Sequence, residues 1–337
     1  MRVIPRKILS GLLVALAALL FIVPSRESYA QSTSRSFQMA LWRSSLDADV
    51  PTFFSGDSQP LGRSILIKTD WRDAPISTSD GSIEWWRIVA VLIDEPYLDL
   101  AAAGHNPCAR QEDFDTWLAE VSAVDAKLAQ RAAELRSVAP KARFWLNFSE
   151  DEASWMKNGV CGGSSAVDNT VIPLNKSYID VISLDRYLVA FEPAVKQYYD
   201  WFAANRAKSD QQVGLIPGTF YIDGRSANQP GYVLTQASYL QAYFDYANDM
   251  NQICNLPLGS RGSTGRFDGC PVWMVMGWLG GNHTQDGVTY IGELDQSSTA
   301  ISNVWRGQLA LPIRSDLVPK ATIERTLPPI LYILLDN

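Results

Sequence analysis

Between Arg87 and Tyr97 the chain reads RIVAVLIDEPY, an apolar, β-branched run that stops at two carboxylates and a proline. Unbroken apolar residues from Ile88 to Ile93 suit a strand covered on both faces, the pattern of parallel sheets. Pro96 has no N–H to give a ladder, so the strand is expected to end at Asp94 and Glu95. Strand-like stretches recur at Phe37–Trp42, Ser64–Trp71, Arg143–Phe148, Tyr178–Tyr187, Gln212–Tyr221 and Val272–Trp278. Helical periodicity lies between them. Glu112–Val138 puts Trp117, Leu118, Val121, Val124 and Leu128 on one face, and shorter helices are predicted over Asp151–Lys157, Pro193–Ala207 and Thr235–Ile253. Pro193 sits in a first turn, where a missing N–H costs nothing. The stretch ILYILLD at 330–336 reads as a final strand or a packed tail.

Strands alternating with helices predict a single α/β domain, and the count approaches a (β/α)8 TIM barrel, whose usual length is about 250 residues. The N-terminal third is expected to be irregular, because residues 43–82 hold strand-like pieces and no long helix. An open doubly wound sheet is the competing architecture, but no glycine-rich phosphate loop follows any strand. No repeat or Pro/Ser linker divides the chain after residue 30, so 31–337 is read as one domain.

Residues 1–30 read as a cleaved signal peptide: a basic head, MRVIPRK, an apolar run from Ile8 to Val23, and small residues at Ser28 and Ala30. Pro24 breaks the run short of the roughly 20 residues a spanning helix needs. A secreted or periplasmic protein is expected, with no membrane association after cleavage. Cleavage removes four of the 29 basic residues (Arg2, Arg6, Lys7, Arg26) and one of the 36 acidic ones (Glu27), moving the formal charge from −7 to −10. That balance, with no Lys/Arg cluster, speaks against nucleic acid and suits a neutral partner such as a sugar. Oligomeric state is not legible.

The strand ends share a chemistry. They carry Asp70-Trp71, Asp94-Glu95-Pro96-Tyr97, Asn147-Phe148-Ser149-Glu150, Asp185-Arg186-Tyr187, Thr219-Phe220-Tyr221 and Trp278. In parallel α/β folds ligands bind at the C-terminal strand ends, so these groups would meet on one rim. Aromatic rings bury the C–H face of a pyranose while carboxylates and amides bind its hydroxyls. Candidate substrate-binding residues are therefore Asp94, Tyr97, Asp70, Trp71, Asn147, Glu150, Arg186, Tyr187, Tyr221 and Trp278.

The strand ending Asp94-Glu95-Pro96 resembles the fourth strand of the large (β/α)8 glycoside hydrolase clan, which often reads Asn-Glu-Pro there. The resemblance implies that Glu95 is the acid/base and Asp94 the ligand of a sugar hydroxyl. The Tyr178–Tyr187 strand is similar to a DxIxxDxY strand of hydrolase-like barrels. The chain departs from the clan in two places: Asp94 stands where asparagine is usual, and the strand ending IPGTFY offers Thr219, Tyr221 and Asp223 where a nucleophilic glutamate is expected.

Glycoside hydrolysis needs one protonated and one ionised carboxyl. The partner of Glu95 is open among Asp185, Glu150, Asp70 and Asp223, with Asp185 ranked first. Because side chains alternate along a strand, only one of Asp94 and Glu95 should face the mouth if the strand stays regular. His105 and His283 are placed in rim loops. Four cysteines in an exported chain predict two disulfides, paired Cys108–Cys161 and Cys254–Cys270. With no CxxC and two histidines, no metal or other cofactor is expected. The expectation is an exported glycoside hydrolase-like protein acting on a poly- or oligosaccharide. Its rival is a catalytically inactive barrel that binds carbohydrate in exopolysaccharide assembly or export.

Overall fold

The computed structural model describes residues 34–42, 51–55, 64–68, 75–76, 85, 88–98, 100, 106–162, 167, 170–185, 193–222, 232–252, 270–278, 283–285, 288–292 and 299–312. Contacts group the chain into Met1–Ser34 and Arg35–Asn337, and all that follows concerns the second unit. The signal-peptide stretch and the 330–336 tail lie outside the described residues.

The fold is α/β. Six strands pair in parallel, in the order β3 (Ser64–Lys68), β4 (Ile88–Asp94), β5 (Arg143–Ser149), β6 (Val181–Asp185), β7 (Gln212–Leu215) and β9 (Val272–Trp278). They make a curled half-barrel. β1 (Gln38–Trp42) pairs parallel with β9, and β2 (Pro51–Ser55) lies antiparallel between β1 and β3, so the hydrogen-bonded order returns to its start. This departs from the expected eightfold (β/α) repeat. The physical reason is connector length: residues 43–50 and 56–63 are too short for a parallel crossover, which takes about a dozen residues or more, so β2 must run back.

A second departure follows β7. The predicted strand Gln212–Tyr221 is split at Ile216–Thr219, where Pro217 cannot donate to a ladder. Beyond the break, β8 (Phe220–Ile222) joins a separate antiparallel sheet with β11 (Val288–Gly292) and β10 (His283–Gln285). His283, expected in a loop, is therefore in a strand; His105 is outside the described residues.

The helices are α1 (Gln111–Val138), α2 (Glu150–Asn158), α3 (Pro193–Ala204), α4 (Tyr232–Asn251) and α5 (Ala300–Ala310). α1 buries Phe114, Trp117, Val121, Val124, Leu128 and Leu135, the spacing of a core-facing stripe. Val91 and Ile93 of β4 and Phe144 and Leu146 of β5 join this helix-side core. Ala90, Leu92, Trp145, Val181 and Met274 instead form a second cluster, on the inner side of the curl. Among the described residues no helix is long and apolar enough to cross a membrane.

Trp145 dominates the inner cluster. Its ring is fully buried, meets Trp273 edge-on at 5.8 Å, and lies against Gly214 of β7. A Cβ at Gly214 would clash with Cζ2 of the Trp145 indole. Gly214→Ala is accordingly expected to lower stability by about 1–3 kcal/mol, as overpacked cores do, and to perturb near-ultraviolet tryptophan ellipticity; unchanged urea unfolding and spectrum would contradict this packing.

Candidate functional site

The register aligns Asp94 of β4 with Asn147 of β5, and Asn147 with Ser183 of β6. By strand alternation Asp94 shares its face with Ala90 and Leu92, Asn147 with Trp145, and Ser183 with Val181. All three polar groups therefore come to the inner side of the curl, toward its C-terminal end. Their hydrogen bonds form a directed chain. The Trp145 indole N–H, a donor only, donates to Ser183 Oγ at 2.8 Å. Ser183 then gives its own hydrogen to Asn147 Oδ1 at 2.6 Å. This turns the Asn147 amide nitrogen toward Asp94, whose Oδ1 accepts at 2.7 Å.

Asp94 ends that chain. Burial raises its carboxyl pKa above the ordinary value of 3.8, with the Asn147 bond pulling the other way. The group holds a proton to higher pH than an exposed aspartate.

Glu95 does not continue the strand. Its N–H still donates to Asn147 O at 2.8 Å, but its φ is 40°, the left-handed region, where a residue with a Cβ is uncommon. The turn closes with Leu98 N–H donating to Glu95 O at 3.2 Å. Tyr97 N–H donates to Glu152 Oε1 at 2.5 Å.

Glu152 belongs to the start of α2. Ser149 is the N-cap: its Oγ accepts the Glu152 N–H at 3.2 Å, and Glu152 Oε2 accepts the Ser149 N–H at 2.5 Å, a reciprocal capping box. Glu152 is fully buried. Burial, with a smaller push from the Glu95 charge, brings its carboxyl up to about 8 against the opposing hydrogen bonds from Ser149 and Tyr97.

The other predicted residues fall as follows. Asp185 is the last residue of β6, half-buried, and pairs in register with Ser149. Glu150 is exposed in the first turn of α2. Tyr97, predicted to bind substrate, is fully buried with its ring stacked on Phe148 at 6.5 Å, so it packs the core. Asn147, predicted likewise, is also fully buried, and its amide bonds both Asp94 and Ser183. Tyr221 lies in β8 and Trp278 ends β9. Asp70, Trp71, Arg186, Tyr187, Asp223 and Cys254 lie outside the described residues.

Cys108 and Cys161 are disulfide-bonded, with Cα atoms 5.3 Å apart, as expected. Cys270 is disulfide-bonded too. Among the described residues no group of His, Cys, Asp and Glu is placed to hold a metal ion.

Sequence reasoning did not single out Trp145, Ser183 or Glu152. For Glu152 the signal was present in Ser149-Glu150-Asp151-Glu152, a capping-box spacing directly after a strand. For Ser183 it was parity: a serine flanked by Ile182 and Leu184 in a strand must face away from them.

No family model matches this chain, and no curated protein matches it.

Proposed function

We propose that this protein is an exported glycoside hydrolase-like barrel that acts on a poly- or oligosaccharide by carboxylate acid/base chemistry at the C-terminal end of its parallel sheet. The observation that carries the reading is Asp94, a carboxyl on the inner face whose burial raises its pKa and whose orientation is set by Asn147. A leaving glycosidic oxygen needs such a proton donor. Asp94 takes that role on the strength of its surroundings, where the resemblance of Asp94-Glu95-Pro96 alone would give it to Glu95. Glu95, next along the chain, and Asp185, two strands away, supply the ionised carboxylate. Kinship with the (β/α)8 glycoside hydrolase clan is part of this proposal, and the run of six parallel strands supports it. The Cys108–Cys161 bridge supports export, because disulfides persist in oxidising compartments.

A second reading, a carbohydrate-binding barrel without turnover, is favoured by the segment after β7. There Ile216, Pro217 and Thr219 are buried, and among the described residues that follow β7, up to Ile222, there is no carboxylate. Incubating the protein with a panel of neutral and acidic polysaccharides separates the two. Release of new reducing ends supports the hydrolase. Saturable binding with no release supports the binding module, and neither binding nor release overturns both.

A further inference from the structure

An ordinary capping box uses one carboxylate oxygen and leaves the other to water. Glu152 does not: its second oxygen accepts Tyr97 N–H from the neighbouring strand's exit, 55 residues earlier, and its side chain is fully buried. An exposed glutamate would cap α2 equally well, and burying a carboxyl carries a desolvation cost. The extra bond therefore calls for its own account. It lands on the turn that begins with left-handed Glu95. A residue with a Cβ persists in that region where its surroundings hold it there. Pro96 has no N–H to contribute, and of the three turn bonds described above only the one to Glu152 is made by a side chain.

We propose that Glu152 is the positioning residue of the β4 end: its carboxyl holds the Glu95-Pro96-Tyr97 turn with Glu95 left-handed, and so fixes the course of the backbone directly after Asp94. It acts through the backbone and touches no substrate. This rests on the reading of Asp94 and Glu95 as the reacting carboxyls.

Two variants of the full chain separate positioning from helix capping. Glu152→Ala removes both acceptors, whereas Ser149→Ala weakens the same helix end and leaves the Tyr97 bond in place. Crystal structures are expected to show Glu95 at negative φ in Glu152→Ala and still left-handed in Ser149→Ala. On a glycan that the wild type cleaves, Glu152→Ala should lower kcat about 10²-fold, the scale of a displacement of about 1 Å, with KM within about twofold of the wild type. Ser149→Ala should stay within about twofold in both. If Glu152→Ala does not fold, Glu152→Met, which fills a similar volume and offers no carboxylate oxygen to the Tyr97 N–H, is read the same way. Glu95 left-handed in the Glu152 variants, or equal losses of kcat in both substitutions, overturns the proposal. If the wild type cleaves no glycan, the hydrolase reading falls alone, and the φ of Glu95 still decides the role of Glu152.

Discussion

Replacing Cys108 and Cys161 together by serine is expected to lower the stability of the protein by about 4 kcal/mol, the chain-entropy value for a loop of this size. The bridge joins residues 53 apart in sequence. It ties the entrance of α1 to the exit of α2, whose C-cap Gly159 has a φ of 87°. The closed loop holds α1, β5 and α2. Freeing it in the unfolded chain restores conformations that the oxidised chain lacks, and the folded state gains nothing in return. The helices keep a contact of their own, since Trp117 meets Trp155 edge-on at 5.1 Å, so the fold should persist in the variant. Urea denaturation of oxidised wild type beside the double serine variant measures the difference. A loss under about 1 kcal/mol would mean that the unfolded chain is already restrained over this span.

The second large effect is a fall in stability as pH rises. The folded pKa of Glu152, about 8, lies above its ordinary value of 4.5, so between those values the folded protein binds a proton that the unfolded chain has released. By linkage, the contribution is fully present below about 4.5 and is lost as pH climbs toward 8, at up to ~1.4 kcal/mol per pH unit. Asp94 and Asp245, both raised by burial, act in the same sense from 3.8 upward. Asp180 acts oppositely: Lys208, bonded at 2.6 Å, and Arg136 outweigh its burial and lower its pKa, so its contribution is lost only below 3.8. Glu152→Gln isolates the largest component. Its amide keeps one acceptor but turns an NH2 group toward a backbone N–H, an expected cost of about 1–3 kcal/mol at acid pH. The gap from wild type should then narrow as pH rises from 4.5 to 8. Parallel stability curves for the two proteins would contradict the buried-acid assignment.

Much of the frame was legible because it depends on local rules. The unbroken apolar run ending at Asp94-Glu95-Pro96 became β4 with its boundary at Asp94. The stripe from Trp117 to Leu128 became the buried face of α1. The cysteine pair next to neighbouring strand ends became a bridge. What stayed hidden depends on partners distant in sequence. β2 is short and its antiparallel course is imposed by its neighbours on both sides. β8, β10 and β11 are strands of three to five residues that form only against one another. At the site, alternation along a regular strand predicts that Asp94 and Glu95 diverge, but the strand ends at Asp94 and Glu95 has a φ of 40°. The motif points to Glu95, whereas the Asn147 and Ser183 side chains that bond in series to the Asp94 carboxyl come from β5 and β6. Tyr97 and Asn147 look like sugar ligands in a one-dimensional reading of strand ends. Both are fully buried once the strands pair.

Turnover of a glycan by the β4 carboxyls is tested by reducing-end release from wild type, Asp94→Asn, Glu95→Gln and Asp185→Asn at one pH. Release by the wild type is expected, with a loss of about 10²–10⁴-fold for Asp94→Asn, the range for removing a general acid, and unfolding curves that show all four proteins folded. Release that survives undiminished in Asp94→Asn would contradict it.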